Sequence, residues 1–79
     1  MEKSDIRQRV KKTISTVLKI EKEEVLDNSN FIFDLGADSM QSLELVAGFE
    51  EEFDIEMELE KAQEVQTISG AVEFIATYL

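Results

Sequence analysis

The residue of this sequence best placed for covalent chemistry is Ser39. It follows the turn Asp34-Leu35-Gly36-Ala37-Asp38 and stands at the predicted N-terminus of an acidic helix. A hydroxyl at this position is presented to other proteins. A phosphate attached to it would meet free backbone N–H groups and the positive end of the helix dipole. The pattern is typical of a modification site.

Composition argues against catalysis by Ser39 itself. The 79 residues include no histidine and no cysteine, so the commonest general base, the commonest metal ligand and any thiolate site are missing. Neighbouring acids can orient a base but cannot replace one. The turn before Ser39 also lacks the ligand pattern of an EF-hand and the Gly-Lys pair of a P-loop. We therefore expect neither an enzyme nor a metal site.

The charge is one-sided, with 18 acidic against 8 basic residues and a net charge of −10. Seven of the basic side chains lie within residues 1–22, whereas residues 23–79 hold fifteen acids and only Lys61. Such an acidic surface suits partners with Arg/Lys patches and repels nucleic acid, so we expect no nucleic-acid binding.

The remaining composition describes one small domain, residues 1–79. No apolar run approaches the roughly 18 residues of a membrane span, and the N-terminus lacks a signal-peptide pattern. We expect a monomer that does not insert into membranes. It is expected in the cytoplasm, or in an organelle matrix if a transit peptide has been removed.

Apolar residues at spacings of three and four predict the first and last main helices. The first helix has about four turns, with Ser4 or Asp5 as N-cap. The last follows Thr67 as N-cap. The apolar members of the first helix are Ile6, Val10, Ile14, Val17 and Leu18. Those of the last helix are Ile68, Ala71, Val72, Ile75 and Leu79.

The second main helix is predicted to begin at Ser39, with Asp38 as N-cap and Gln41 completing a capping box. Gly48 is unfavourable inside a helix, so it predicts a close approach of a neighbouring helix. The predicted apolar stripe consists of Met40, Leu43, Val46, Ala47, Phe49 and Phe53. The residues predicted to face water are Glu44, Glu50, Glu51 and Glu52.

A long loop, from about Lys19 to Asp38, separates the first two helices. Loops of this length are usually functional or internally packed. The residues predicted to anchor it to the core are Phe31, Ile32, Phe33 and Leu35. One helical turn is predicted around Glu23–Leu26, and one short helix within Glu56–Glu64. The fold class is therefore all-α: a small four-helix bundle of three main helices and one short helix.

The motif Asp34-Leu35-Gly36-Ala37-Asp38-Ser39 continues as Leu43-Glu44-Leu45-Val46 and Glu50-Glu51-Glu52-Phe53-Asp54. With these residues, essentially the whole chain resembles an acyl carrier protein of the freestanding, type II fatty-acid kind. The resemblance implies a single acyl-carrier domain over residues 1–79. It also implies 4′-phosphopantetheine, donated by coenzyme A under a separate transferase and joined to Ser39 by a phosphodiester. The thiol of that arm would carry acyl groups as thioesters between enzymes.

The same resemblance assigns roles to other residues. An apolar acyl channel would include Leu45, Phe49, Val65 and Ala71. Docking on partner enzymes would use Asp38, Met40, Glu44, Glu50 and Glu51. The implied partners are a phosphopantetheinyl transferase and acyl-processing enzymes with basic patches. Phe49 stands where the family typically has an aliphatic residue, so its ring is expected to shorten or reshape the channel.

Two alternatives stay open at the level of sequence. A carrier of another cargo, such as a polyketide, an amino acid or D-alanine, would use the same arm and fold. A non-carrier subunit would use only the acidic face to bind a partner. The Ala37-Asp38 pair and the acidic second helix favour the fatty-acid type, and an intact Ser39 argues against the subunit.

Overall fold

The computed structural model describes all 79 residues and contains four helices. Their bounds are Lys3–Leu18 (α1), Ser39–Phe53 (α2), Leu59–Glu64 (α3) and Ile68–Ala76 (α4), with a 3₁₀ turn at Lys22–Glu24. The long helix α1 packs against both α2 and α4, while short α3 contacts α2. This confirms the predicted all-α bundle of three main helices and one short one. None of the helices has the length and apolar character needed to cross a membrane.

The core is one contiguous cluster that draws on every main helix. From α1 it takes Ile6, Val10 and Ile14, each almost completely buried. These residues recur every four positions, so they form one stripe of α1 that faces the other helices. The buried residues of α4 are Ile68, Ala71, Val72 and Ile75. Leu79 was expected to join them, but this was wrong: it lies beyond the end of α4 and is about half exposed.

The start of α1 also differs from the prediction. The N-cap is Glu2, whose side chain makes no capping hydrogen bond, and both Ser4 and Asp5 lie inside the first turn. The ammonium of Lys3 lies 2.8 Å from a carboxylate oxygen of Glu73 on α4. This exposed contact joins the first turn of α1 to α4. A tertiary contact of this kind is invisible to a rule about local capping residues.

The long loop is held by backbone pairing with the segment between α3 and α4. The Phe31 N–H donates to the Gln66 carbonyl at 2.9 Å, and the Ile68 N–H donates to the Ser29 carbonyl at 3.2 Å. These bonds flank a single antiparallel bridge between Asn30 and Thr67. The loop is therefore fixed to the segment that leads into the start of α4.

Only part of the predicted loop anchor is buried. Phe31 is buried and Leu35 packs against the core, but Ile32 and Phe33 are 58% and 88% exposed. The prediction was wrong for these two residues. The Asn30 side chain accepts hydrogen bonds from the N–H groups of both, at 2.9 and 3.0 Å. That turn directs Phe31 inward and its two successors outward.

The apolar stripe of α2 was also partly misassigned. The buried residues are Leu45, Phe49 and Phe53, a series with a spacing of four. Three apolar residues that were predicted to face the core are exposed instead: Met40, Leu43 and Ala47. Both series satisfy helical spacing, so the pattern alone does not say which faces the core. The position of α1 decides it.

Candidate functional site

Ser39 is the first residue of α2, and the turn before it is built to start the helix there. Gly36 adopts φ +73°, a left-handed conformation that favours glycine. One carboxylate oxygen of Asp38 accepts from the Gln41 N–H at 2.7 Å, and the Gln41 side chain accepts from the Asp38 N–H at 3.1 Å. The predicted capping box is confirmed. It fixes the orientation of the Ser39 backbone.

The Ser39 side chain is exposed and engages no other group of the protein. Its own backbone N–H and that of Met40 are also without a partner, because they are the first two donors of the helix. Both point out of the N-terminus of α2, where the helix dipole is positive. A phosphate on the Ser39 oxygen fits this environment, since two donors and a favourable field are free to meet it.

An apolar cavity of about 110 Å³ opens between α2, the long loop and the segment that runs from α3 into α4. Its wall includes Leu45 and Phe49 from α2, Val65 from the α3–α4 linker and Ala71 from α4. The structure therefore brings together all four residues that were assigned to an acyl channel by resemblance. Their binding role remains a prediction.

Other residues of the cavity wall were not assigned to the acyl channel from sequence. From α2 these are Ser42 and Val46, and from outside α2 they include Met57 and Phe74. Ser42 and Val46 follow Ser39 by three and seven positions, so all three share one side of the helix. That spacing was a usable signal. No signal in the sequence indicated that Met57 would approach the cavity from outside the main helices.

The predicted docking residues fall into two groups. Met40, Glu44 and Glu51 are exposed and lie along one face of α2, and Asp38 is exposed at its N-terminus. Glu50 differs because it is half-buried and its carboxylate accepts a hydrogen bond from the Met57 N–H at 2.8 Å. Glu50 therefore supports the cavity wall at Met57. No group of three or more Asp, Glu, His or Cys side chains is arranged to hold a metal ion.

Residues 8–75 match the family described as the phosphopantetheine attachment site. The chain is also similar to the solved structure of "a putative acyl carrier protein" from Mycobacterium tuberculosis, with a TM-score of 0.84 and 26% sequence identity. That similarity covers 91% of this chain and 96% of the other. Family and fold agree with the free hydroxyl at the start of α2. The chain belongs to the phosphopantetheine attachment family, and it is a carrier protein with the fold of an acyl carrier protein.

Proposed function

We propose that Ser39 is the residue that bears 4′-phosphopantetheine, and that this carrier shuttles acyl intermediates between enzymes of fatty acid or related lipid or polyketide synthesis. One observation carries the proposal. The free hydroxyl of Ser39 is followed, on the same side of α2, by Ser42 and Val46 on the wall of an apolar cavity. An attachment point and a compartment for an apolar chain are therefore adjacent.

In attachment, the protein presents the Ser39 hydroxyl to the transferase and stabilises the phosphate that becomes attached to it. The Ser39 oxygen forms the new phosphodiester bond as it loses its proton to a separate transferase, while the adenosine bisphosphate part of coenzyme A leaves. The N–H groups of Ser39 and Met40 would be free to donate to the phosphate, and the dipole of α2 would stabilise its negative charge by about 0.3–1 kcal/mol at an exposed site. When bound, the arm supplies a terminal thiol that holds an acyl group as a thioester.

The chemistry of the cavity favours an apolar acyl chain over an aminoacyl or D-alanyl cargo. Eleven of its fifteen lining residues are hydrophobic. A charged ammonium placed among them would lose its hydration without gaining a carboxylate partner, since the other four lining residues are uncharged. Methylene groups would instead gain about 0.8 kcal/mol each on burial. Leu45, Phe49, Val65 and Ala71 are the proposed acyl-contact residues.

Partner recognition is proposed for the exposed face of α2. Glu44 and Glu51 follow the apolar Met40 along that face, and Asp38 lies beside Ser39 at its end. Acidic side chains around an apolar contact suit a transferase or acyl-processing enzyme with a basic patch. Contacts of this kind associate quickly and release quickly, as a shuttle requires. Glu50 belongs to the proposed set through its position, although its carboxylate is engaged internally.

The test of attachment is intact-protein mass spectrometry after incubation with coenzyme A and a promiscuous phosphopantetheinyl transferase. We expect the wild type to gain one arm and Ser39→Ala to gain none while keeping its helical circular dichroism. Ser42→Ala is the matched control, because it removes a hydroxyl one turn later and should gain the arm normally. A wild type that gains no mass would refute the carrier proposal and favour the acidic interaction subunit.

The cargo is tested by loading the same arm with octanoyl or D-alanyl groups and measuring the melting temperature of each form. We expect octanoyl loading to raise the melting temperature relative to the unloaded arm, because the chain fills an apolar cavity. D-alanyl loading should leave it unchanged. An equal rise with both cargoes would contradict the preference for apolar chains.

A further inference from the structure

Two large apolar side chains, Ile32 and Phe33, lie at the rim of the cavity and yet are mostly exposed. Both contribute to the cavity lining, with 58% and 88% of their surfaces accessible. A single exposed apolar residue is ordinary on a protein surface. Two consecutive ones at the mouth of an apolar cavity form a surface suited to an apolar ligand.

The exposure of this pair is imposed by a well-bonded turn. The Asn30 side-chain oxygen holds the N–H groups of Ile32 and Phe33, and an Asp34 carboxylate oxygen accepts from the Asn30 N–H at 2.7 Å. The Ile32 carbonyl in turn accepts from the Gly36 N–H at 3.1 Å. The backbone therefore holds both side chains at the rim, where they gain no burial in the bundle itself.

The size of the cavity indicates what this rim would contact. A protein cavity of about 150 Å³ holds benzene, which has six carbon atoms. By proportion, the 110 Å³ here holds about four carbons of an acyl chain. In a longer straight chain whose tail fills the cavity, the carbons next to the thioester must lie outside it, at the rim.

We infer that Phe33, together with Ile32, is a specificity-determining residue that covers the thioester end of straight acyl chains longer than about four carbons. The inference rests on the proposed function of Ser39. With such a chain, the two side chains bury apolar surface that is exposed in the unloaded protein. With a very short chain there is no tail to hold the thioester at the rim, so Phe33 contributes nothing.

The test measures how fast hydroxylamine cleaves the thioester of the carrier loaded with octanoyl or with acetyl. Cleavage of the octanoyl form should be slower than that of the acetyl form in the wild type, because the rim shields its thioester. Phe33→Ser should raise the octanoyl rate about fivefold, which corresponds to about 1 kcal/mol. It should leave the acetyl rate unchanged.

Two variants complete the design. Phe33→Leu keeps an apolar side chain at the rim and should restore most of the protection. Leu26→Ser is the control, because Leu26 is also an exposed apolar residue of the loop, at 56%, but lies outside this cavity. It should behave as the wild type with both groups. Circular dichroism should show an intact fold throughout, since Phe33 is 88% exposed.

Octanoyl cleavage rates within twofold of wild type in Phe33→Ser would overturn the inference, even if Ser39 is fully modified. An equal increase in the acetyl and octanoyl rates would also overturn it, because it would show an effect on the arm rather than on the chain. If the mass spectrum shows that the protein gains no arm, the proposed function is refuted, and this inference is refuted with it.

Discussion

Gly48 of α2 lies directly against Thr13 of α1. A Cβ atom on Gly48 would stand 2.9 Å from the Thr13 Cγ2, closer than real Cβ contacts, and 3.5 Å from a methyl group of Val17. The close approach predicted from the helix-internal glycine is confirmed. Thr13 cannot turn away without cost, since it is β-branched and buried and its hydroxyl donates to the Arg9 carbonyl at 2.9 Å.

Gly48→Ala should therefore destabilise the protein. Overpacking costs about 1–3 kcal/mol, while the better helix propensity of alanine returns about 1 kcal/mol. We expect a net loss of about 1 kcal/mol in the free energy of unfolding, measured by urea denaturation. In a Thr13→Ser background, which lacks the clashing methyl group, Gly48→Ala should become neutral or stabilising. The same loss in both backgrounds would show that this contact is not the cause.

Arg9 joins α1 to the end of α2 in three ways. Its Nε lies 2.7 Å from a carboxylate oxygen of Glu52, a second guanidinium nitrogen donates to the Glu52 carbonyl, and the group stacks 4.8 Å from the centre of the Phe53 ring. Arg9→Gln should lower the free energy of unfolding by about 1–2 kcal/mol, since hydrogen bonds between charged, partly buried groups contribute about that much.

The control for Arg9 is Lys12→Gln, which removes the same charge from an exposed side chain of α1 that forms no ion pair. It should change the free energy of unfolding by less than about 0.5 kcal/mol. Arg9→Lys keeps the charge but loses the planar fork, so it should recover only part of the loss. Equal effects of Arg9→Gln and Lys12→Gln would assign the effect to net charge instead.

Charge reversal on the exposed face of α2 should slow modification by the transferase. Glu44→Lys or Glu51→Lys replaces an attraction to a basic partner by a repulsion. At low salt the expected decrease in kcat/KM is about thirtyfold, since a pair of unit charges 4 Å apart interacts by about 1 kcal/mol in water and charge reversal changes this energy by about 2 kcal/mol. Stopped-time mass spectrometry measures the rate, and the difference should shrink at high salt.

Glu23→Lys is the matched control for docking, because Glu23 is exposed on the 3₁₀ turn of the loop and undergoes the same change of charge. The transferase should modify this variant at nearly the wild-type rate. If Glu23→Lys is modified as slowly as Glu44→Lys, total charge rather than the exposed face of α2 governs recognition by the transferase. Glu50→Lys is unsuitable for this purpose, since it would also remove the acceptor of the Met57 N–H.

Added salt should stabilise this protein. Its extents are 27 × 25 × 19 Å, so at about 0.01 M ionic strength, where the Debye length is about 30 Å, like charges repel one another across the whole molecule. At about 0.15 M only near neighbours interact. If about 1 kcal/mol of repulsion is relieved, the melting temperature rises by about 4–8 °C.

A variant with less negative charge provides the control for the salt effect. Replacing the exposed Glu56 and Glu60 by glutamine should raise the melting temperature at low salt and reduce the further rise on adding salt. Salt also weakens the five ion pairs, such as Lys3–Glu73, which opposes the predicted trend. A melting temperature that stays flat or falls would show that those pairs outweigh the general repulsion.

Local features of the structure followed from sequence with good accuracy. Asp38 caps α2 and Thr67 caps α4, where the Thr67 hydroxyl accepts from the Gly70 N–H at 3.1 Å. Each of these interactions joins residues only three positions apart, so the chain needs no tertiary partner to form it. The same holds for the start of α2 at Ser39, the residue on which the functional proposal depends.

The predictions from sequence were wrong where two sets of neighbouring apolar residues could equally well have faced the core. Phe31, Ile32 and Phe33 are all large and apolar, so their types do not say which of them is buried. The Asn30 side chain turns Ile32 and Phe33 outward, and the backbone bond from Phe31 to Gln66, far along the chain, places Phe31 in the core. On α2, Leu45 and Leu43 belong to competing stripes of equal spacing, and contact with α1 selects the first. Such choices depend on the summed packing of distant segments, which local propensity does not contain.

The amino-acid sequence alone determined the helical class, the helix start at Ser39 and the charge asymmetry, because these depend on composition and on contacts within one helical turn. Tertiary structure alone decided the rest. It assembled a cavity from Phe49, Met57, Val65 and Phe74, and it placed the exposed Phe33 at its rim. The physical reason is that a cavity is a property of how separate helices fail to fill the space between them, which no single segment specifies.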